Sequence, residues 1–138
     1  MSRARSKTVR QWIDTPRVAT PQGFPLDALA GSVAQVLPGR RFVVHKCSGY
    51  GPDVLRLAAA TERDGSVPVG VEELTHLMEG TDQWFYDIEV SCDGPDGSEL
   101  SFGLDDSSSM FLEGGEELVE EVLRRFEAEI NPPPDHLA

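Results

Sequence analysis

The chain contains few cysteines and no long apolar run. Cys47 and Cys92 are its two cysteines, and neither belongs to a CxxC or Cys/His metal-binding spacing, so a reduced, cytoplasmic protein without a disulfide framework is expected. No apolar run approaches the roughly 18 residues that a membrane-spanning helix needs, and the basic start of the chain is not followed by the apolar segment of a signal peptide. Neither a membrane span nor secretion by that route is expected.

Basic residues are also scarce, with 12 against 24 acidic residues and a formal net charge of -12. Their distribution is uneven, because residues 1–17 hold five basic residues and one acidic residue, whereas residues 62–121 hold eighteen acidic residues and one basic residue, Arg63. An acidic body of this kind repels the phosphates of nucleic acids and anionic membranes, and it accelerates encounter with basic proteins. We therefore expect a basic protein partner, with neither nucleic acid nor membrane as a partner.

The length and the regional composition predict one domain with two extensions. A chain of 138 residues is long enough for one hydrophobic core and too short for two ordinary domains. Residues 1–23 are predicted to form a basic, partly flexible arm with one or two helical turns around Trp12. Residues 24–131 are predicted to form the domain, and residues 132–138 a proline-rich tail.

Hydrophobic periodicity predicts the order helix, two strands, helix, three strands, helix. Apolar residues recur at helical spacing in three segments, 25–37, 71–78 and 116–130. Alternating or β-branched segments predict strands at 41–47, 54–61, 83–92, 99–104 and 109–113. Of these, the run 54–61 (VLRLAAAT) has mixed propensities and is assigned to a strand that returns from a Gly-Pro turn. The fold class is α+β, an antiparallel sheet of about five strands with helices on one face.

The alternation in the strand 83–92 predicts which of its residues face the core. One set of alternating positions is apolar and is assigned to the core: Trp84, Tyr86, Ile88, Val90 and Cys92. The positions between them point outward, and two of these, Asp87 and Glu89, are acidic.

The acidic stretch from Asp93 to Glu121 contains no motif that names a reaction. Its carboxylates do not fit the ligand positions of an EF-hand loop from any of the starting residues Asp87, Asp93, Asp96 or Asp105, so no metal site is predicted. The acidic residues of the hairpin point away from the predicted core, where nothing in the sequence builds a pocket for acid/base chemistry. No catalytic residue and no cofactor are predicted.

The same carboxylates are the candidate partner-binding residues. They lie on the outward face and at the ends of the predicted hairpin: Asp87, Glu89, Asp93, Asp96, Glu99, Asp105 and Asp106. Like charges that face one another across strands are destabilising, so a face that carries them suits a cationic partner. The favoured function is a non-enzymatic, acidic binding protein. By analogy of charge and size alone, bacterial immunity proteins and antitoxins that neutralise basic toxins fit this description.

Two other functions stay open at the level of sequence. A small enzyme or ligand-binding domain would have its site near His45, Cys47, Tyr50 and Asp53, where His45 and Cys47 are expected to share one face of a strand. A structural subunit of an assembly would self-associate through an apolar patch. The sequence predicts no oligomeric state.

Overall fold

Ten secondary-structure elements follow one another in the computed structural model, which describes residues 8–14, 22–78, 82–93, 99–106 and 109–130. The strands are β1 (Thr8–Ile13), β2 (Phe42–Tyr50), β3 (Val67–Val69), β4 (Trp84–Asp93), β5 (Glu99–Asp105) and β6 (Ser109–Gly115). The helices are α1 (Leu26–Val36), α2 (Pro52–Asp64), α3 (Val71–Met78) and α4 (Glu116–Ile130).

The strands form one six-stranded antiparallel sheet in the order β1-β6-β5-β4-β2-β3. The consecutive strands β4, β5 and β6 are neighbours, as the turn residues between them predicted. The helices pack on one face of the sheet. The prediction of an α+β fold is confirmed, with six strands in place of about five.

The core lies between the sheet and the helices. Its helical side comes from apolar residues of all four helices: Leu26, Leu29 and Val33 of α1, Val54 of α2, Leu74, Leu77 and Met78 of α3, and Val119, Val122 and Phe126 of α4. From the inner face of the sheet, Phe42 and Phe102 meet edge to face with ring centroids 5.8 Å apart. Each fully buried side chain of this size contributes about 1.5–3 kcal/mol to folding.

The segment 54–61 is helical, so the strand predicted there was wrong. Pro52 suits the first turn of α2, and the leucine and alanine residues that follow favour a helix. The side chain of Gln83, 30 positions along the chain from Asp53, caps the helix: its Oε1 accepts hydrogen bonds from the backbone N–H of Asp53 and of Val54 at 2.6 and 3.1 Å. This remote cap is invisible in the local sequence.

The basic arm also differs from its prediction. Residues Thr8–Ile13 form strand β1 and not a helical turn, because they pair along their whole length with β6. Trp12 lies opposite Phe111 in this pairing, and Arg10 lies opposite Glu113. A strand whose partner is about a hundred residues away leaves little trace in local periodicity.

Strand β4 departs from regular alternation at Tyr86. Asp87 and Phe85 pair with consecutive residues of β2, so Tyr86 is the extra residue of a β-bulge. Phe85, which is 1% exposed, therefore enters the core, whereas Trp84 and Tyr86 point away from it. Their predicted place on the core face was wrong, although Ile88, Val90 and Cys92 lie there as predicted.

A buried glutamine holds the backbone beside this bulge. Gln22, which is 5% exposed, receives a hydrogen bond from the Phe85 N–H at 2.8 Å and donates one to the Phe85 carbonyl at 3.0 Å. Its amide thus pairs with β4 as a strand would. On the other side, Gly49 approaches β4 so closely that a Cβ there would lie 2.2 Å from the Trp84 carbonyl oxygen.

Candidate binding surface on the open sheet face

The sheet face opposite the helices carries aromatic and charged side chains, and we call it the open face. Its residues alternate along each strand with core residues, apart from the bulges. Three large aromatic side chains there are about half exposed: Trp12 at 47%, Tyr50 at 53% and Tyr86 at 44%. Exposed aromatic rings next to charged groups are typical of protein-binding surfaces.

One group on the open face, the Arg10 cluster, consists of Arg10, Trp12, Phe111 and Glu113. The Arg10 guanidinium lies over two rings, 4.3 Å from the Phe111 centroid and 5.2 Å from the Trp12 centroid. Its Nε also donates to a Glu113 carboxylate oxygen at 2.6 Å. Phe111 is only 4% exposed although it lies outside the hydrophobic core. The Arg10 side chain therefore joins the two rings and the carboxylate and covers Phe111.

A second group, the Tyr50 cluster, consists of Ser48, Tyr50, Trp84 and Asp87. The Tyr50 and Trp84 rings are stacked, with centroids 4.5 Å apart and planes inclined by 21°. Tyr50 pairs with Trp84 across the strands, and Ser48, two residues before Tyr50, pairs with Asp87. Among the described residues, no cation lies over either ring.

The two clusters place their residues at corresponding strand positions, although the Trp12 and Phe111 rings meet edge to face at 66° and the Tyr50 and Trp84 rings are stacked. In each cluster, two rings lie opposite each other on neighbouring antiparallel strands. The next pair of residues on the same face has a carboxylate on the second strand. The bulge at Tyr86 brings Asp87 into this position, because it adds one residue between the ring and the carboxylate. Ser48 therefore stands where the other cluster has Arg10.

Asp87 is held in place by the chain itself. One carboxylate oxygen accepts a hydrogen bond from the Asp106 N–H at 2.6 Å, and the other accepts one from the Ser48 hydroxyl at 3.2 Å. Asp106 adopts a left-handed conformation with φ of 52°, so the first bond stabilises the turn after β5. A carboxylate offers about four acceptor positions, so Asp87 retains capacity for a further donor.

The structure brings part of the predicted binding set together. Asp87, Glu89 and Asp105 lie on the open face, and Asp106 lies at its edge in the turn. Glu89 is opposite Lys46 in the strand pairing, but the two form no ion pair among the described residues. Asp93 and Glu99 belong to the paired ends of β4 and β5, with side chains outside the described set, and Asp96 lies outside the described residues.

The alternative site near Cys47 is not assembled as expected. His45 is the extra residue of a bulge in β2, so His45 and Cys47 lie on opposite faces of the strand and the prediction of a shared face was wrong. His45 Nε2 contacts the Ser91 hydroxyl at 2.6 Å. Burial raises the pKa of the Cys47 thiol to about 11, with a hydrogen bond to Thr61 opposing the rise. Such a thiol is protonated at neutral pH, which disfavours a nucleophilic role.

Asp53, another residue of the alternative site, stabilises the start of α2. Its carboxylate accepts hydrogen bonds from Arg56 at 2.7 Å and from the Gln83 amide at 3.3 Å, at the start of α2. In the part of the chain that the structure describes, no three His, Cys, Asp or Glu side chains converge on a possible metal site.

A shallow groove of about 400 Å³ lies at the edge of the sheet beside β3. It is lined by Gly39, Arg40, Arg41, Pro68, Val69 and Gly70. The two arginines are the only ionisable side chains of this lining.

Comparison with protein-family models, with curated proteins and with solved structures gives no match to this chain. None of the described helices is long and apolar enough to cross a membrane. The open face is the candidate functional site. Sequence reasoning missed its aromatic half, because Trp84 and Tyr86 were assigned to the core; the only local signal was the acidic neighbour Asp87.

Proposed function

We propose that this chain is a binding protein that engages a basic protein partner through the open face around Asp87 and Glu89. The observation that carries the proposal is the combination of exposed aromatic rings and carboxylates on a sheet face that the helices leave uncovered. Aromatic anchors supply binding energy, and the surrounding carboxylates select for positive charge.

The charges on this part of the face favour a cationic partner. Asp87, Glu89 and Asp105 line adjacent strands, and Lys46 is the basic residue that lies among them in the described pairing. The chain as a whole has a net charge of -12, which attracts a basic protein over a distance of about one Debye length.

The specific form that we propose is a cytoplasmic inhibitor of the immunity or antitoxin type, whose partner is a basic bacterial toxin. What supports this form is small size together with strong negative charge, since an inhibitor that covers a nucleic-acid-binding surface has to match its positive potential. In this role the protein acts by occlusion and performs no reaction.

Two charge reversals on different faces test the proposal. Glu89→Arg changes the charge on the open face, whereas Glu72→Arg makes the same change on an exposed position of α3 in the helical layer. The immobilised wild-type protein and both variants are exposed to the same bacterial lysate, and the retained proteins are identified and quantified by mass spectrometry.

We expect a basic protein to be retained by the wild type and by Glu72→Arg, and to fall by about tenfold or more with Glu89→Arg, because close like charges at an interface repel. Equal retention by all three proteins would contradict a site at this face. Equal loss with both variants would show that net charge alone causes the retention, and would also contradict it.

A further inference from the structure

The Arg10 cluster shows how this sheet binds a guanidinium, and the Tyr50 cluster has two aromatic rings and a carboxylate at the corresponding positions without one. We infer that the Tyr50 cluster is a receptor for an arginine side chain of the partner, with the guanidinium on an exposed face of the stacked ring pair Tyr50–Trp84 and paired with Asp87. This inference rests on the proposed function and specifies the chemistry of the residue that the partner supplies.

The correspondence between the clusters is positional. In the Arg10 cluster, the cation is two residues before the first ring on one strand and lies opposite the carboxylate on the next. In the Tyr50 cluster, that position belongs to Ser48, two residues before Tyr50 and opposite Asp87. Two residues of strand span about 7 Å in both cases, a distance that an arginine side chain can bridge. The short Ser48 side chain leaves this space to a residue from outside the chain.

The exposure of the rings agrees with an unfilled receptor. Tyr50 and its counterpart Trp12 are similarly exposed, at 53% and 47%, whereas Trp84 is partly exposed and its counterpart Phe111, under the Arg10 guanidinium, is 4% exposed. Stacking on Trp84 covers one side of the Tyr50 ring and leaves the other side accessible to a planar cation. Asp87 is fixed by the Asp106 N–H and the Ser48 hydroxyl, so its carboxylate is oriented before a partner arrives.

Arginine fits this arrangement better than lysine. A guanidinium is planar, stacks on aromatic faces, and still presents N–H donors at its edge to a carboxylate. A lysine ammonium is a compact and strongly hydrated charge that cannot satisfy the ring face and the carboxylate with the same geometry. In the Arg10 cluster, the same side chain makes both kinds of contact at once.

The two tryptophans of the chain allow a direct test, because one lies in each cluster. The ¹⁵N-labelled protein is titrated with a capped pentapeptide that contains one arginine among glycine and serine residues, and separately with the matching lysine peptide. Chemical shifts of the two indole N–H groups report on Trp84 and Trp12 independently. The titrations are repeated with Tyr50→Ala and with Trp12→Ala, two variants that remove rings of similar exposure from the same face.

We expect the arginine peptide to shift the Trp84 indole signal and to leave the Trp12 signal in place. The lysine peptide should bind at least about 3-fold more weakly than the arginine peptide. Tyr50→Ala should weaken binding of the arginine peptide by about 2- to 5-fold. Trp12→Ala should leave arginine binding at Trp84 unchanged. If Tyr50→Ala perturbs the whole spectrum, Ser48→Arg serves instead, because an arginine within the chain should block the peptide.

Equal binding of the two peptides, equal shifts at both indoles, or no shift at Trp84 would overturn the inference. The peptide titration does not measure how much basic partner Glu89→Arg retains. The capture experiment therefore tests the proposed function separately. Conversely, specific arginine binding at Trp84 combined with equal capture by Glu89→Arg would leave the receptor standing and remove the proposed function.

Discussion

The Arg10 cluster and the Tyr50 cluster differ in whether the chain supplies a cation, because Arg10 in the first stands where Ser48 stands in the second. With the arginine, two rings and a carboxylate close into a unit that buries Phe111 outside the main core. With the serine, Trp84, the counterpart of Phe111, is partly exposed and the carboxylate keeps acceptor capacity. The same arrangement of strands gives internal stabilisation where the chain supplies the cation, and we propose that it gives a surface for a partner where the chain does not.

The largest expected effect concerns the backbone that holds the Tyr50 cluster. Gln22→Leu should lower the free energy of unfolding by about 2–4 kcal/mol, because it leaves the buried N–H and carbonyl of Phe85 without their partner. Urea unfolding measures this loss. As a control, Gln11→Leu at an exposed position of β1 should change the free energy of unfolding by no more than about 0.5 kcal/mol. Equal effects of the two substitutions would contradict the role of Gln22.

Removing the internal cation should make the Arg10 cluster resemble the Tyr50 cluster. Arg10→Ser should cost about 1–2 kcal/mol, since it removes two cation–π contacts and a partly exposed ion pair. It should also create a second site for the arginine peptide, seen as a new shift of the Trp12 indole. Arg63→Ser, which removes an exposed ion pair with the adjacent Asp64, should do neither. A loss of stability without a new shift of the Trp12 indole would contradict the correspondence between the two clusters.

Adding a cation to the Tyr50 cluster should change stability by less than removing Arg10 does. Ser48→Arg should raise the free energy of unfolding by about 0.5–1 kcal/mol, through stacking on exposed rings and pairing with Asp87. Ser48→Gln introduces a shorter, planar polar side chain without the charge, and it should give no such gain. Thermal unfolding of the two variants side by side measures the difference, and an equal change in both would argue against a cation site.

The smallest expected signal belongs to Cys47, on the opposite face of β2. Because burial raises the pKa of its thiol to about 11, only about 0.1% is thiolate at pH 8, so iodoacetamide should alkylate the native protein far more slowly than the unfolded chain. Mass spectrometry of the Cys47 peptide follows the reaction. Rapid alkylation in the native state would favour a reactive thiol, and with it a site beneath the Tyr50 cluster.

The sequence predicted those parts of the fold that depend on local patterns. The hairpin strands β4 and β5 alternate regularly beyond Asp87 and are joined by turn residues, so Ile88, Val90 and Leu104 were placed correctly in the core. Asp87 and Glu89 were placed on the outward face for the same reason.

The errors arise where remote contacts override local patterns. One extra residue at Tyr86 reverses the faces of Trp84 and Phe85, and no periodicity before the bulge reveals it. The helix α2 is capped by Gln83, and β1 acquires its structure from β6. The Tyr50 cluster depends on the first of these features, so the aromatic half of the candidate site required the three-dimensional structure.

The most direct test is to exchange Arg10 and Ser48, which occupy corresponding positions in the two clusters. In the double variant Arg10→Ser/Ser48→Arg, the Tyr50 cluster contains the cation and the Arg10 cluster lacks it, while the net charge of the chain is unchanged. Titration with the arginine peptide should then shift the Trp12 indole signal and leave the Trp84 signal in place, the reverse of the wild type. A shift that stays at Trp84, or that occurs at neither indole, would contradict the claim that a missing cation makes this sheet face a binding site.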